Sequence, residues 1–430
     1  MLDFGRSDDA RVQAQLDRLS ALSVPQGRLG LETIRALMER LDNPHRKLPP
    51  VFHVAGTNGK GSVCAFLRAM LEADGKRVHV TTSPHLVRYN ERIRIAGDLI
   101  SDEELAATLR EVLDKGEDLA PSFFEVTIAA AFLAFSRTPA DACVVEVGLG
   151  GRFDATNVLE PEAVAACGIA ALGIDHEKFL LAPEEGVPKE PMARIAFEKA
   201  GIAKQGVPLL ALADARETQR EIQLASARMG ALLSKLGRDW FYDETGSGFY
   251  RDALGELTLP PPSLIGRHQS SNASLAAAML RHQDNVTVSE ASILEGVGTA
   301  NWPARMQLLK PGPLIGARQV WLDGGHNRGA GEAIAREFAG RPHHLIIGML
   351  ANKDPEALTG PLAETIASIT AVPIPGHDSH PASAFGPETP CTTDLIAAMQ
   401  ALPDDDHPVL IAGSLYLAGE VLRLNDEVPD

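Results

Sequence analysis

Lys60 stands between Gly59 and Gly61, with Ser62 next in line, inside the stretch VFHVAGTNGKGS that runs from Val51 to Ser62. Glycines let successive backbone N–H groups turn inward, and a helix beginning here adds partial positive charge, so the arrangement suits a polyphosphate. Lys60 would reach the outer phosphates and Ser62 an accompanying magnesium ion. The strict phosphate-loop pattern is broken twice: Val54 occupies the place of its first glycine, and Gly61 separates lysine from hydroxyl. A plain strand-to-helix turn also uses glycines, but a lysine and a hydroxyl together at a helix start favour the phosphate reading.

Glu146 lies inside the apolar run CVVEV. A carboxylate on a central strand is costly to bury without a partner, and a strand-borne acid near a phosphate loop commonly serves magnesium. An edge strand with Glu146 in water is the weaker reading, because both flanks are apolar. His176 closes the apolar stretch Ala163–Ile174 and Asp175, at the end of a strand where ligands bind in open α/β sheets. Alone it reads as structural; Ser83 and Glu146, also at strand ends, give it weight. Lys199 reads as an ordinary surface lysine near a helix terminus. Asp323-Gly324-Gly325-His326-Asn327 follows a strand directly and suits ribose or phosphate contact, though a polar turn explains it equally well. Arg305 and the segment Gly266–Asn272 are ambiguous in isolation.

These residues need elements to position them, and hydrophobic periodicity supplies candidates. Val63, Phe66, Leu67, Met70 and Leu71 recur at helical spacing after the glycine loop, and Ile34, Leu37, Met38 and Leu41 form a helical face before it. Strands are predicted at Lys76–Thr82, Ala142–Val147, Ala163–Ile174 and Val207–Leu212, with helices at Met192–Ala200 and Asn272–Arg281. Val87–Ile95 reads as a polar loop near the nucleotide, and Tyr242–Pro262 as a small hairpin excursion. The pattern breaks near Asn301-Trp302-Pro303. Beyond it, strands at Gln319–Leu322, His344–Ile347, Ile369–Ile374 and Val409–Ala412 begin a second series, with Pro373–Pro390 as a long surface loop. Strands alternating with helices predict a doubly wound, mainly parallel α/β fold.

At 430 residues the chain exceeds one ordinary core and calls for two or three domains. A net charge of −17 argues against nucleic acid as the main partner. The cysteines Cys64, Cys143, Cys167 and Cys391 lack metal-like spacing and read as thiols of a reducing compartment. The opening MLDFGRSDDAR lacks a signal-peptide pattern, and the longest apolar run, Ile128–Phe135, is too short to cross a bilayer. The expectation is a cytoplasmic protein with no membrane contact.

Taken together, the motifs resemble one family: the folylpolyglutamate synthases and bifunctional dihydrofolate synthases of the Mur ligase superfamily. The resemblance rests on GTNGKGS (56–62), SPHLVRYNERI (83–93), FFEVT (123–127), EVGLGGRFDATN (146–157), DH (175–176), EKAGI (198–202), GRHQ..N (266–272), DGGHN (323–327) and GMLANKD (348–354). It covers the chain from about Gly30 to Glu420. It implies an N-terminal P-loop-type ATPase domain with a mainly parallel sheet (1–299), a smaller C-terminal Rossmann-like αβ domain (300–430), and ATP between them.

Carried over residue by residue, the resemblance makes Gly56, Thr57, Asn58, Gly59, Lys60, Gly61 and Ser62 the phosphate-binding loop. It adds Asn272, Arg305, Asp323 and His326 as contacts to adenosine and phosphate. Ser83 and Glu146 would hold one magnesium ion, and Glu146, His176 and Lys199 a second, with Lys199 carbamylated. Phe124 and Asp154 would face the pterin, and Arg92, His326 and Ser414 the incoming glutamate. Lys60, Glu146, His176 and Lys199 would carry the catalysis. Two departures stand out: Gly325 replaces the alanine usual in this motif, and Leu181–Pro191 (LAPEEGVPKEP) lengthens the path from His176 to Lys199.

The implied reaction is ATP-dependent joining of L-glutamate to dihydropteroate, to folates, or to both, through an acyl phosphate, by a monomer. A cell-wall Mur ligase with the same chemistry on a nucleotide-sugar peptide is the nearest rival, and NERIRI and EVGLGGRFDATN favour the folate branch. A non-enzymatic ATP-binding module is the other. Retention of Glu146, His176 and Lys199 beside an intact loop speaks against it.

Overall fold

The computed structural model describes residues 6–22, 30–213, 215–243 and 248–429. Residues 1–5, part of the opening stretch read for a leader, and 244–247, within the expected Tyr242–Pro262 excursion, lie outside the described residues. The chain divides into two compact units. One takes the chain up to Ser263 together with Gln269–Asn301; the other takes Leu264–His268 and everything from Trp302 onward.

The first unit is built on eight strands: β1 (Val51–Ala55), β2 (Val78–Thr81), β3 (Ile93–Ile95), β4 (Asp98–Leu99), β5 (Ala142–Glu146), β6 (Val164–Ile169), β7 (Pro208–Ala211) and β8 (Leu232–Ser234). Their order is β4-β3-β2-β5-β1-β6-β7-β8. All pairings are parallel except β2–β3 and β3–β4. β1, β5 and β6 are buried along their whole length, as the centre of a sheet covered on both faces requires. That is why VFHVA, ACVVE and VAACGI read as unbroken apolar runs. Helix Phe123–Arg137 opens on a capping box between Ser122 and Glu125 and is buried from Val126 to Phe135. It belongs to the core that also holds Leu37, Leu109 and Val145. A small antiparallel sheet follows, β9 (Trp240–Tyr242), β10 (Phe249–Asp252) and β11 (Gly255–Thr258), in the order β11-β10-β9.

The second unit carries β12 (Gln307–Leu308), β13 (Val320–Asp323), β14 (His343–Ile347), β15 (Ile366–Ala371) and β16 (Val409–Ala412), ordered β12-β13-β16-β14-β15. Only the β12–β13 pairing is antiparallel. Its own core gathers Ile334, Phe338, Leu345, Ile347, Leu358 and Leu410.

Two local expectations are corrected. Val87–Ile95 is not simply a loop: Tyr89–Arg92 is a 3₁₀ turn and Ile93–Ile95 is β3. Glu91 accepts the backbone N–H groups of Leu86, Val87 and Arg88 at 2.8, 2.9 and 2.6 Å, which draws the segment tight. The strand expected over Ala163–Ile174 ends at Ile169. Beyond it Ala171 accepts the N–H groups of Thr57 and Asn58, so the chain leaves the sheet to line the glycine loop. His176 therefore caps the short helix Glu177–Leu180 rather than ending a strand, and it does so with φ +54°.

Candidate active site

The glycine loop leaves the C-terminal end of β1 and delivers Lys60 as the first residue of helix Lys60–Ala73. Gly59 caps that helix with φ +83°, a left-handed conformation. A side-chain carbon there would lie 2.5 Å from Asn272 Oδ1, so Gly59 is fixed both by its backbone and by its neighbour. Asn272 is buried in helix His268–Arg281, and its Nδ2 donates to Gln269 Oε1 at 2.9 Å. Thr57 closes the other side of the loop: its hydroxyl donates to Gly173 O at 2.7 Å and accepts the Gly173 N–H at 3.0 Å. Lys60 Nζ lies 3.5 Å from Thr57 O, folded back over the loop's backbone.

Register in the sheet puts Val54 beside Glu146, so the acid emerges next to the loop. Glu146 is buried, and its Oε2 accepts the Ser83 N–H at 3.0 Å. Ser83 and Glu146 are thus brought together from the ends of the adjacent strands β2 and β5.

Lys199 is far from the surface residue its spacing suggests. It is 4% exposed on helix Pro191–Ala200. Burial, and then the charge of Lys60, pull its ammonium down to about 7, opposed by Asp175, Asp154 and Glu198. His176 follows Asp175, whose Oδ1 accepts the His176 N–H at 2.7 Å.

Asp154 is committed within its own turn. Its Oδ2 accepts the Leu149 N–H at 2.8 Å, and its Oδ1 accepts both the N–H (3.0 Å) and the hydroxyl of Thr156. His53, buried in β1 and kept neutral by that burial, lies 2.9 Å from the same hydroxyl through its Nε2. Phe124 packs on Gly148, where a side-chain carbon would be 2.4 Å from the ring. Arg92 is fully buried, with Nε on His85 Nδ1 at 2.8 Å and its guanidinium 5.4 Å from the centroids of both Tyr89 and Phe123.

A four-membered ion lattice holds helix Pro191–Ala200. Arg152 bridges Glu184 and Glu198, and Arg194 bridges the same two acids at 2.8 and 2.9 Å. Arg194 Nε also donates to Leu180 O at 2.9 Å. Glu184 comes from the Leu181–Pro191 segment after His176. Arg152 and Glu198 stand inside motifs recognisable in the sequence, but nothing in the sequence couples Glu184 to them.

The second unit gathers its own polar turn. Asp323 ends β13; its Oδ2 accepts the Met306 N–H at 2.8 Å and its Oδ1 the Gly325 N–H at 2.7 Å. Arg305 Nη1 donates to Ala304 O at 3.0 Å, and His326 Nδ1 lies 3.1 Å from Gly324 O. Ser414 caps helix Leu415–Leu424 and accepts the Tyr416 N–H at 3.1 Å. Asp323 pairs with Ala412 across β13 and β16, so both turns lie at neighbouring strand ends. An alanine at 325 would meet Ala330 Cβ at 2.7 Å and Asp323 Oδ1 at 2.8 Å, so glycine suits this turn.

No family model matches the sequence. Among curated proteins, a dihydrofolate synthase/folylpolyglutamate synthase of Bacillus subtilis (strain 168) is 33% identical over 439 residues, covering 92% of this chain and 94% of the relative. The chain belongs to this family. A relative of the same name from Escherichia coli (strain K12) is 31% identical over 409 residues, covering 93% of this chain and 92% of its own length. The solved structure of E. coli FolC with DHPP and ADP superposes with a TM-score of 0.84 at 29% identity, covering 96% of this chain and 97% of that one. A bifunctional folylpolyglutamate synthase/dihydrofolate synthase with Mn, AMPPNP and L-glutamate bound matches with a TM-score of 0.81 at 28% identity, over 96% of this chain and 97% of that one. As a member of the dihydrofolate synthase/folylpolyglutamate synthase family, the chain is an ATP-dependent ligase that forms amide bonds. Its two α/β units, each on a largely parallel sheet, fit the fold expected from the motifs.

Proposed function

We propose that this ligase is bifunctional, adding L-glutamate both to dihydropteroate and to reduced folates. The observation that carries the proposal is the placement of Phe124 against Gly148 and of Asp154 within the adjoining turn, the residues of FFEVT and GGRFDATN that would meet a pterin. Family membership over nine-tenths of the chain supports it.

The substrate carboxylate oxygen attacks the γ-phosphorus of ATP, the bond to the bridging oxygen breaks, and ADP leaves an acyl phosphate. The α-amine of glutamate then attacks the acyl carbon, loses a proton, and phosphate departs. Carboxylates do not acylate amines at neutral pH, so the phosphoryl group supplies the leaving group. In this reading loop residues Gly56–Ser62 bind the phosphates, and Lys60 stabilises charge on the transferred oxygens. Asn272, Arg305, Asp323 and His326 serve the nucleotide, Phe124 meets the pterin, and Arg92, His326 and Ser414 orient glutamate. Asp154 acts by shaping the 148–156 turn, because its carboxylate oxygens are engaged there.

The donor set suits magnesium. Glu146 offers a carboxylate beside Ser83, His176 an imidazole, and Lys199, once carbamylated, an anionic oxygen in place of a cation. Bound magnesium would neutralise the phosphate charge during transfer. A cytoplasmic monomer acting on small molecules goes with this reading.

The test is ADP formation by the purified chain with ATP, glutamate and either dihydropteroate or tetrahydrofolate. Turnover with both is expected. Turnover with tetrahydrofolate alone would make the enzyme a polyglutamylating ligase only.

A further inference from the structure

At the N-terminal edge of the second unit's sheet, away from the strand ends that carry Asp323 and Ser414, three side chains converge. His344 is the second residue of β14, and its side chain is 2% exposed. Its Nδ1 lies 2.7 Å from Ser368 Oγ on the neighbouring strand β15, which fixes the ring and aims Nε2 outward. There Nε2 meets Asp405 Oδ1 at 2.9 Å. His407 brings Nδ1 to 3.1 Å from the second oxygen of the same carboxylate. One ligand atom from each of the three residues falls within 4.8 Å of the others.

We propose that His344, Asp405 and His407 form a binding site for a borderline transition-metal ion of the zinc class, separate from the phosphate-binding machinery. Two imidazole nitrogens to one carboxylate oxygen is the donor balance such ions take, whereas magnesium favours a set dominated by oxygen. Ligand bonds of about 2.0–2.2 Å are within reach of atoms already this close. Ser368 supplies the outer hydrogen bond that orients a metal-binding imidazole.

The backbone that carries these ligands is braced. His344 N donates to Pro408 O at 3.0 Å, His344 pairs with Val409 of β16, and His407 N donates to Asp405 Oδ1 at 3.0 Å. Asp405 and His407, at 36% and 42% side-chain exposure, leave one side open for entry and for water as a further ligand. The two imidazole rings stand nearly perpendicular, at 88°, with centroids 5.6 Å apart, so their nitrogens approach from different directions.

The experiment titrates the full chain with Co²⁺, a spectroscopic stand-in for zinc, in excess magnesium so that hard-cation sites are filled. One equivalent should bind with visible ligand-field absorption and be displaced by Zn²⁺. His407→Ala and Asp405→Asn, both at exposed positions, should each weaken binding by about tenfold or more while ligase turnover stays unchanged. Zn²⁺ should raise the melting temperature of the parent chain and not of the variants. No saturable absorption, or absorption that persists unchanged in His407→Ala, would overturn the assignment and leave the cluster a hydrogen-bonded brace.

Discussion

Replacing Gly59 by alanine separates two reasons for a glycine where the loop enters helix Lys60–Ala73. The first is conformational: φ is +83°, and an L-residue held there costs about 1–2 kcal/mol. The second is steric, since the new methyl would lie 2.5 Å from Asn272 Oδ1. The obstructing atom ends a side chain and can swing, but only by breaking its bond to Gln269, roughly 0.5–1.5 kcal/mol in a buried setting. Gly59→Ala should therefore cost about 2–3 kcal/mol in total. If the loop yields rather than the fold, the cost moves to nucleotide binding, at about tenfold in ATP affinity per 1.4 kcal/mol. Urea unfolding and ATP titration of Gly59→Ala, Asn272→Ala and the double variant form a cycle that divides the terms. The double variant should keep only the conformational part, giving a coupling of about 1 kcal/mol. An unchanged Gly59→Ala protein, or zero coupling to Asn272, would refute the account.

Three further outcomes are expected. Lys60→Ala should fold normally and lose nearly all turnover, a loss of roughly 3–4 kcal/mol of transition-state stabilisation; near-parental ADP formation would remove Lys60 from the chemistry. Lys199→Ala should turn over poorly and recover in part when a small carboxylic acid is added, because the added anion replaces the carbamate oxygen; no recovery, with a bare ammonium seen at Lys199 beside bound metal, would remove the carbamate. Asp74 accepts hydrogen bonds from Ser289 and Ser292 and is lowered from 3.8 to about 2, first by the Ser289 N–H. A depressed folded-state value stabilises above the unfolded value and is lost as pH falls through the folded one, so the stability gap between parent and Asp74→Asn should close between about pH 4 and 2. Acid titration of both by circular dichroism measures it, and a gap constant across that window would discount the Asp74 contacts.

Much of the first unit was legible because local chemistry and local structure coincide there. The glycine loop announces itself by the change from an apolar run to helical spacing at Val63, and Glu146 by sitting inside CVVEV. Periodicity failed where polar groups point inward. Arg92 lies in a segment that reads as a polar loop, yet it is buried against Tyr89 and Phe123. Lys199 is buried on a helix, and only the family motif singled it out, since its desolvation comes from elements distant in sequence. His176 does not end a strand because the residues after Ile169 line the glycine loop instead of extending β6. The His344–Asp405 pair spans 61 residues, and no spacing rule connects them.

The lattice of Arg152, Glu184, Arg194 and Glu198 ties the 181–191 segment to the helix that carries Lys199. Two arginines and two glutamates balance, and the positive members are 21% and 6% exposed. Excising residues 181–190 would remove Glu184 and leave both guanidiniums competing for Glu198. Neither would be wholly unpaired, but the excess positive charge would cost a part of the about 3–5 kcal/mol lost when a buried pair is broken outright. The segment and Arg194 therefore act together in holding this helix. A variant lacking that segment is expected to unfold at lower urea concentration than the parent, and exchanging Arg194 for an uncharged residue to recover part of the loss.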